Sequence, residues 1–302
     1  MASAYRPASA ATVSELLAAG GHSFSFEFFP PKTDDGERAL FQAIRELEGL
    51  RPTFVSVTYG AGGTNRDRTV RVTERIAEET TLLPVGHLTC VGASSAELRG
   101  VIGQYAAAGI RNVLALRGDP PGGPGTEWVQ GEGGLQHADE LVALVKSLGD
   151  FSVGVAAFPE GHPESPSLDH DAQVLLRKQE AGAEFAVTQL FFRAEHYVEL
   201  VDRARAIGVT MPIVPGVMPI TNIAQVERFA VLSGAALPDD FVARFDAVKD
   251  DPAGVHAVGV EVASEFAAEL LDRGAPGLHF FTLNRSTSTR EVYEALGLAA
   301  LA

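Results

Sequence analysis

One cysteine, one tryptophan and three methionines are spread over 302 residues. The single Cys90 excludes an internal disulfide framework and any multi-cysteine metal site. Its place at the end of an apolar run marks it as a small buried hydrophobe rather than a nucleophile. Basic residues are scarce too: 24 Lys and Arg stand against 39 Asp and Glu, a formal net charge of −15. Nucleic acids and anionic membranes both select a positive surface, so neither is an expected partner, and a phosphate-bearing ligand requires a local basic patch. No uncharged run is long enough to cross a bilayer. Leu16-Leu17-Ala18-Ala19 is too short for the apolar core of a secretory signal and follows Glu15, so the expected location is the cytoplasm. There is no internal repeat, no low-complexity linker, and no Gly-x-Gly-x-x-Gly turn after the first apolar run, which argues against a doubly wound dinucleotide fold.

What is present is an alternation. Short apolar, β-branched or aromatic runs predict strands at Phe24–Phe29, Phe54–Tyr59, Leu83–Cys90, Asn112–Arg117, Phe151–Phe158, Phe185–Phe192, Ile213–Pro219 and Leu278–Leu283. Amphipathic stretches predict helices at Glu37–Leu50, Arg66–Glu79, Ser95–Ala108, Asp171–Ala181, Glu195–Ile207, Asn222–Leu232, Val260–Asp272 and Thr289–Leu296. Gly109, Gly182, Gly208 and Gly297 stand where left-handed helix ends are expected. Strands alternating with helices pair in parallel through right-handed crossovers. Eight such units predict an α/β TIM (β/α)8 barrel, a single catalytic domain over residues 1–302, with residues 1–20 as an N-terminal extension and helix. Pro120–Gly134 is expected to be one long loop, and Leu237–Asp251 a helical insertion before the last strand.

A barrel places its chemistry at the C-terminal strand ends. The polar residues there are Glu27, Thr58, His87, Arg117 with Asp119, Glu160 with His162, Gln189, and Asn284 with Arg285. Convergence from seven strand ends points to an enzyme, or at least a ligand site. Glu27 is the sharpest of them. In Phe24-Ser25-Phe26-Glu27-Phe28-Phe29, alternation sets Ser25, Glu27 and Phe29 on one face and Phe24, Phe26 and Phe28 on the other, and neither face is plainly aqueous. Burial among aromatic rings would raise its carboxyl pKa and make it a general acid. The alternative is a glutamate satisfied by a nearby arginine.

Phe24–Lys32, Thr58-Tyr59-Gly60-Ala61-Gly62-Gly63, Arg117-Gly118-Asp119-Pro120-Pro121, Ala156–Pro163, Thr188–Phe192, Pro215–Pro219 and Thr282-Leu283-Asn284-Arg285 together resemble the methylenetetrahydrofolate reductase family, in family order over almost the whole chain. The resemblance is to the short bacterial form, the catalytic barrel without a further domain. It implies a non-covalent FAD enzyme in which hydride passes from NADH or NADPH to flavin N5, and then to methylenetetrahydrofolate in a ping-pong cycle that yields methyltetrahydrofolate for methionine synthesis. Ring opening to an iminium cation needs a proton on N10, and Glu27 matches the family's general acid, its aromatic setting favouring the protonated form. Asp119 matches the aspartate near flavin and pterin, where it would stabilise the cation; its other reading is a loop cap before prolines.

Folate contacts carried over are Gln189, Phe229, Leu283 and Arg285. Gln189 can both donate and accept, or simply bond backbone; Phe229 packs on the substrate ring, or into the core; Arg285 suits a glutamate carboxylate. FAD contacts carried over are Thr58, His87, Arg117, Gly118, Asp119, Ala138, Phe158, His162, Asp171, Arg177 and Lys178. Arg177 and Lys178 are counter-charges for a pyrophosphate, or a solvated helix face. The cluster His162, Asp169, His170 and Asp171 lacks zinc-type spacing, so no metal is expected. His137, Phe158 and Phe281 stand where some relatives carry tyrosines, which bears on how tightly flavin is held. A homo-oligomer is expected. Two alternatives stay open: a flavin-independent reductase of the same substrate, and a pterin-binding barrel that transfers a group without redox chemistry.

Overall fold

The computed structural model describes residues 11–59, 66–120, 126–222, 224, 227, 235 and 237–298. Among them, nine parallel strands form one sheet: β1 (Ser23–Phe28), β2 (Phe54–Val57), β3 (Pro84–Thr89), β4 (Asn112–Leu116), β5 (Ser152–Ala157), β6 (Phe185–Thr188), β7 (Ile213–Val214), β8 (Gly216–Val217) and β9 (Gly277–Phe281). The order is β7-β6-β5-β4-β3-β2-β1-β9-β8. The continuous strand expected at Ile213–Pro219 is instead two short pieces either side of Pro215, which has no N–H to give a ladder. β7 pairs with β6 and β8 pairs with β9, so the two pieces fill one position and the sheet curls into a nearly closed barrel. Side bonds span the break: Gly216 N–H donates to Thr188 Oγ1 (2.9 Å) and the Pro215 carbonyl accepts from His279 N–H (2.9 Å).

The helices between and around the strands are α1 (Val13–Ala18), α2 (Asp34–Glu48), α3 (Arg66–Glu79), α4 (Ser95–Ala107), α5 (Ala138–Leu148), α6 (Leu168–Glu180), α7 (Ala194–Ala206), α8 (Asp239–Asp246), α9 (Pro252–Asp272) and α10 (Thr287–Ala295). The expected C-cap glycines 109, 182, 208 and 297 all have positive φ. The insertion at Leu237–Asp251 does hold a helix, α8. The helix predicted from Val260 starts eight residues earlier, at Pro252, capped by Asp251 accepting from Ala253 N–H (3.0 Å). Gly254 and Gly259 blur its periodicity, and Gly259 is required because a Cβ there would fall 1.5 Å from the Ile220 carbonyl oxygen.

Two apolar layers hold the barrel. Outward strand faces pack on the helices: Phe26 lies against Phe280 (6.0 Å between ring centres) and against Tyr293 of α10 (5.8 Å). Inside, Phe54, Val85, Leu114, Phe185 and Val187 form a plug that Val13 and Leu17 of α1 close from below. α1 is fixed there by backbone donors, Val13 N–H to Asn112 Oδ1 (2.9 Å) and Ser14 N–H to Ser152 Oγ (3.1 Å). Since Asn112 and Ser152 begin β4 and β5, this is the N-terminal floor, which leaves the opposite end for chemistry.

Candidate active site

Glu27 belongs to the inward face of β1. Its neighbours in register are Ser56 on β2 and Phe281 on β9. The aromatic residues before and after it point out to the helices, so the aromatic setting expected for the carboxylate is corrected. Glu27 is buried (8% exposed) in a polar nest above the apolar plug. Ser56 Oγ–H donates to Oε2, His279 Nε2 bonds the same oxygen, and His87 Nε2 lies equally far, each at 3.5 Å. His279 is aimed by Ser25, whose Oγ is 2.7 Å from Nδ1, and by Phe54 stacked on its ring at 5.7 Å. Burial pushes the Glu27 carboxyl up, but the His279 hydrogen bond, the charges of His87 and His279 and the Ser56 hydroxyl together bring it below the ordinary glutamate range. The expected upward shift is therefore reversed, because inward polar partners outweigh burial. Burial also holds His87 down at about 4.

The C-terminal ends of β4, β5 and β6 enclose a cavity of about 350 Å³. Ten of its lining residues are among the FAD and folate contacts expected from the sequence: Arg117, Gly118, Asp119, Ala138, Phe158, His162, Asp171, Arg177, Lys178 and Gln189. Gly118 has φ +84°, and a Cβ there would sit 2.6 Å from Val91 Cγ1, so the strand-end turn demands glycine. Asp119 is exposed to the cavity, and its carboxylate makes no hydrogen bond or ion pair among the described residues. Gln189 accepts from Leu190 N–H through Oε1 (2.9 Å), which keeps the side-chain amide N–H₂ for a ligand.

The basic pair divides. Arg177 is exposed at the cavity edge, whereas Lys178 is 8% exposed, with Nζ donating to the Ala156 carbonyl (2.9 Å). Burial lowers its pKa to about 8, despite Asp139 and Asp171 nearby. A buried cation with one neutral acceptor is poorly compensated, so a solvated helix face does not describe it. Arg117 forks onto Glu164 (2.6 and 3.0 Å) and lies 5.5 Å from the ring centre of Trp128. The His162 ring meets Phe158 edge-on at 4.8 Å, the His162 backbone N–H donates to Asp171 Oδ2 (3.1 Å), and burial lowers the imidazole pKa.

Other candidates lie elsewhere. Thr58 follows β2, its carbonyl accepting from Thr69 Oγ1 (3.0 Å), and His87 faces Glu27; neither lines the cavity. Leu283 packs with Leu190, Met218 and Ile220. Arg285 borders a second, polar cavity of about 490 Å³ beside α2 and α10. Phe229 lies outside the described residues. Sequence reasoning missed His279, Glu164 and Asp139. His279 carried one signal, a polar residue at the interior parity of β9, but its pairing with Ser25 is visible only in the sheet register.

A family model for methylenetetrahydrofolate reductase matches residues 12–297. The chain belongs to the methylenetetrahydrofolate reductase family. It is 41% identical over 281 residues to 5,10-methylenetetrahydrofolate reductase of Pectobacterium carotovorum subsp. carotovorum, covering 92% of this chain and 91% of that protein. It is 39% identical over 279 residues to the Escherichia coli K12 protein of the same name, covering 92% of each. Among solved structures, an uncharacterized protein from Clostridium thermocellum that binds two copies of 5-methyl-5,6,7,8-tetrahydrofolic acid superposes with a TM-score of 0.64 at 14% identity, over 95% of this chain and 98% of that one; that likeness speaks to the barrel fold alone. The family resemblance read from the sequence, the barrel and the expectation of an enzyme are borne out.

Proposed function

We propose that this member of the methylenetetrahydrofolate reductase family reduces 5,10-methylenetetrahydrofolate to 5-methyltetrahydrofolate with NADH or NADPH, using non-covalent FAD held in the cavity at the ends of β4, β5 and β6. The observation that carries this reading is the convergence of Arg117, Arg177, Lys178 and the free carboxylate of Asp119 on one cavity of an otherwise acidic protein. A bound flavin supplies a two-electron hydride relay between nicotinamide and folate. The donors present fit its diphosphate: Lys178 is a buried cation in need of an anion, Arg177 stands beside it, and Gly118 lets backbone approach closely.

The chain's own residues then do three things. Asp119 and Gln189 line the cavity where the reacting ring would lie; there the carboxylate would favour the cationic iminium form of the folate, and the glutamine would fix its orientation. Glu27 delivers a proton to N10 as the five-membered ring opens. Each turnover consumes one proton with the hydride, and Glu27 is recharged from solvent between turnovers. The carboxyl rests as an anion at neutral pH, so its protonation is a step of the cycle rather than a standing state.

The test is a visible spectrum of the purified protein, followed by anaerobic NADH and then methylenetetrahydrofolate. Flavin bands that bleach with the first and return with the second would support the reading. A colourless protein that still reduces folate would move the assignment to a flavin-independent reductase, and neither colour nor turnover after added FAD would move it to a non-redox pterin barrel. Glu27→Gln should keep flavin reduction and slow folate reduction by about 10²-fold or more. Equal loss of both half-reactions in a folded, flavin-bound variant removes Glu27 from this role.

A further inference from the structure

β1 cannot extend its ladder past Phe29, because Pro30 and Pro31 follow and neither has an N–H to give. β9 stops at Phe281, opposite Glu27. Beyond these ends the two segments are joined by side chains. Thr282 N–H and Thr282 Oγ1–H both donate to the Glu27 carbonyl (3.3 and 2.6 Å). Asn284 then takes the place of a strand: Phe29 N–H donates to its Oδ1, and its Nδ2–H donates to the Phe29 carbonyl, each at 2.8 Å. Only one orientation of the amide allows both bonds. Asn284 N–H in turn donates to Thr282 Oγ1 (3.2 Å), so the two side chains form one clasp.

The clasp depends on an uncommon backbone. Leu283 has φ +52° and Asn284 has φ +60°. Asparagine tolerates this left-handed region, but a bulky leucine seldom enters it. Leu283 is held there by its side chain, which packs with Leu190, Met218 and Ile220. Such conformations persist only where the surroundings over-determine them, and they gather at functional sites. What this turn accomplishes is to fold Asn284 back onto β1, 255 residues away in sequence.

The residue between the clasped backbone groups is Glu27. Its Oε2 lies 3.5 Å from Ser56 Oγ, His87 Nε2 and His279 Nε2 alike. Contacts of that length stand at the outer limit of hydrogen bonding, so a small displacement of the strand decides whether they form. On the β2 side the strand end is tied by Thr58 N–H donating to the Phe28 carbonyl (2.9 Å), and on the β9 side by Thr282 and Asn284. We propose that Thr282 and Asn284 are positioning residues: they fix the backbone at Glu27 and Phe29 and so set the Glu27 carboxylate against Ser56, His87 and His279. The catalytic consequence rests on the reading of Glu27 as proton donor; the placement does not.

The experiment is a titration of the Glu27 carboxyl in the full chain by ¹³C NMR, with Glu27→Gln to assign the signal. Asn284→Gly removes the clasp and keeps the left-handed φ free of strain. The wild-type carboxyl is held below the ordinary glutamate range by Ser56, His87 and His279 against the effect of burial. With the clasp gone it loses those partners, and its midpoint should rise by about one pH unit, a tenfold gain of the acid form. A staple that serves stability alone would lower the melting temperature and leave the midpoint in place. An unchanged midpoint, or a fall, would overturn the proposal. If Asn284→Gly does not fold, Thr282→Val and Thr282→Ser form the second pair: valine keeps the shape without the hydroxyl and should raise the midpoint, serine should hold it, and equal midpoints in the two would overturn the proposal as well. The titration needs no turnover, so a failure of Glu27→Gln to slow folate reduction would remove the proton-donor reading and leave this result standing.

Discussion

Replacing Lys178 by methionine should make the ligand-free protein more stable while weakening its hold on a diphosphate ligand. The lysine is 8% exposed, and burial brings its pKa from 10.5 to about 8, the nearby Asp139 and Asp171 offsetting only part of that fall. At about 1.4 kcal/mol per pH unit, keeping the ammonium charged costs the folded state about 3 kcal/mol at neutral pH. Methionine removes that cost and forfeits the hydrogen bond to the Ala156 carbonyl, about 1 kcal/mol. The net gain is about 2 kcal/mol.

Its pH dependence has a defined sign. The folded pKa lies below the unfolded one, so between about 8 and 10.5 the unfolded chain binds more protons, and wild-type stability rises with pH relative to the variant across that window. Below about pH 8 the handicap is constant. Urea unfolding of both proteins without flavin, from about pH 7 to about pH 10, should show Lys178→Met ahead by about 2 kcal/mol at the start and losing that lead towards the end. FAD retention should move the other way, weaker by about tenfold for one lost charge-assisted contact. A variant less stable at neutral pH, or a lead that does not change with pH, would refute the reasoning.

Two further outcomes are expected. Gly118→Ala forces a Cβ to within 2.6 Å of Val91 Cγ1 at φ +84°, so it should cost about 1–3 kcal/mol in thermal or urea unfolding and release flavin on gel filtration; an unchanged melting curve would show that the turn can relax. Cys90 is buried and burial pushes its thiol up to about 12, so it should resist alkylation at neutral pH and react only once the protein is unfolded, read by mass spectrometry.

The strands and most helices were legible because each is a local pattern. Gly109, Gly182, Gly208 and Gly297 mark helix ends by a property of the residue itself, the freedom to take positive φ. α9 was read eight residues short because two glycines interrupt its pattern, although Asp251 and Pro252 already spelled its start. Pro215 was read as part of a strand, and its break is local chemistry that could have been seen. The site was legible in part as strand-end residues; of the ten expected contacts that share one cavity, Ala138, Asp171, Arg177 and Lys178 come from α5 and α6 instead.

What the sequence alone determined is the inventory: the alternation that makes a barrel, the strand ends where polar residues gather, and the family they resemble. Which way Glu27 points, what satisfies it and what state it rests in were decided by tertiary structure. Alternation separates two faces of β1 but does not say which is inside; only the register with β9 brings Ser25 opposite His279 and sets that ring on Glu27, 252 residues away in sequence. A pKa is a sum over neighbours in space. A carboxylate that sits among phenylalanines in the chain sits between imidazoles in the folded protein.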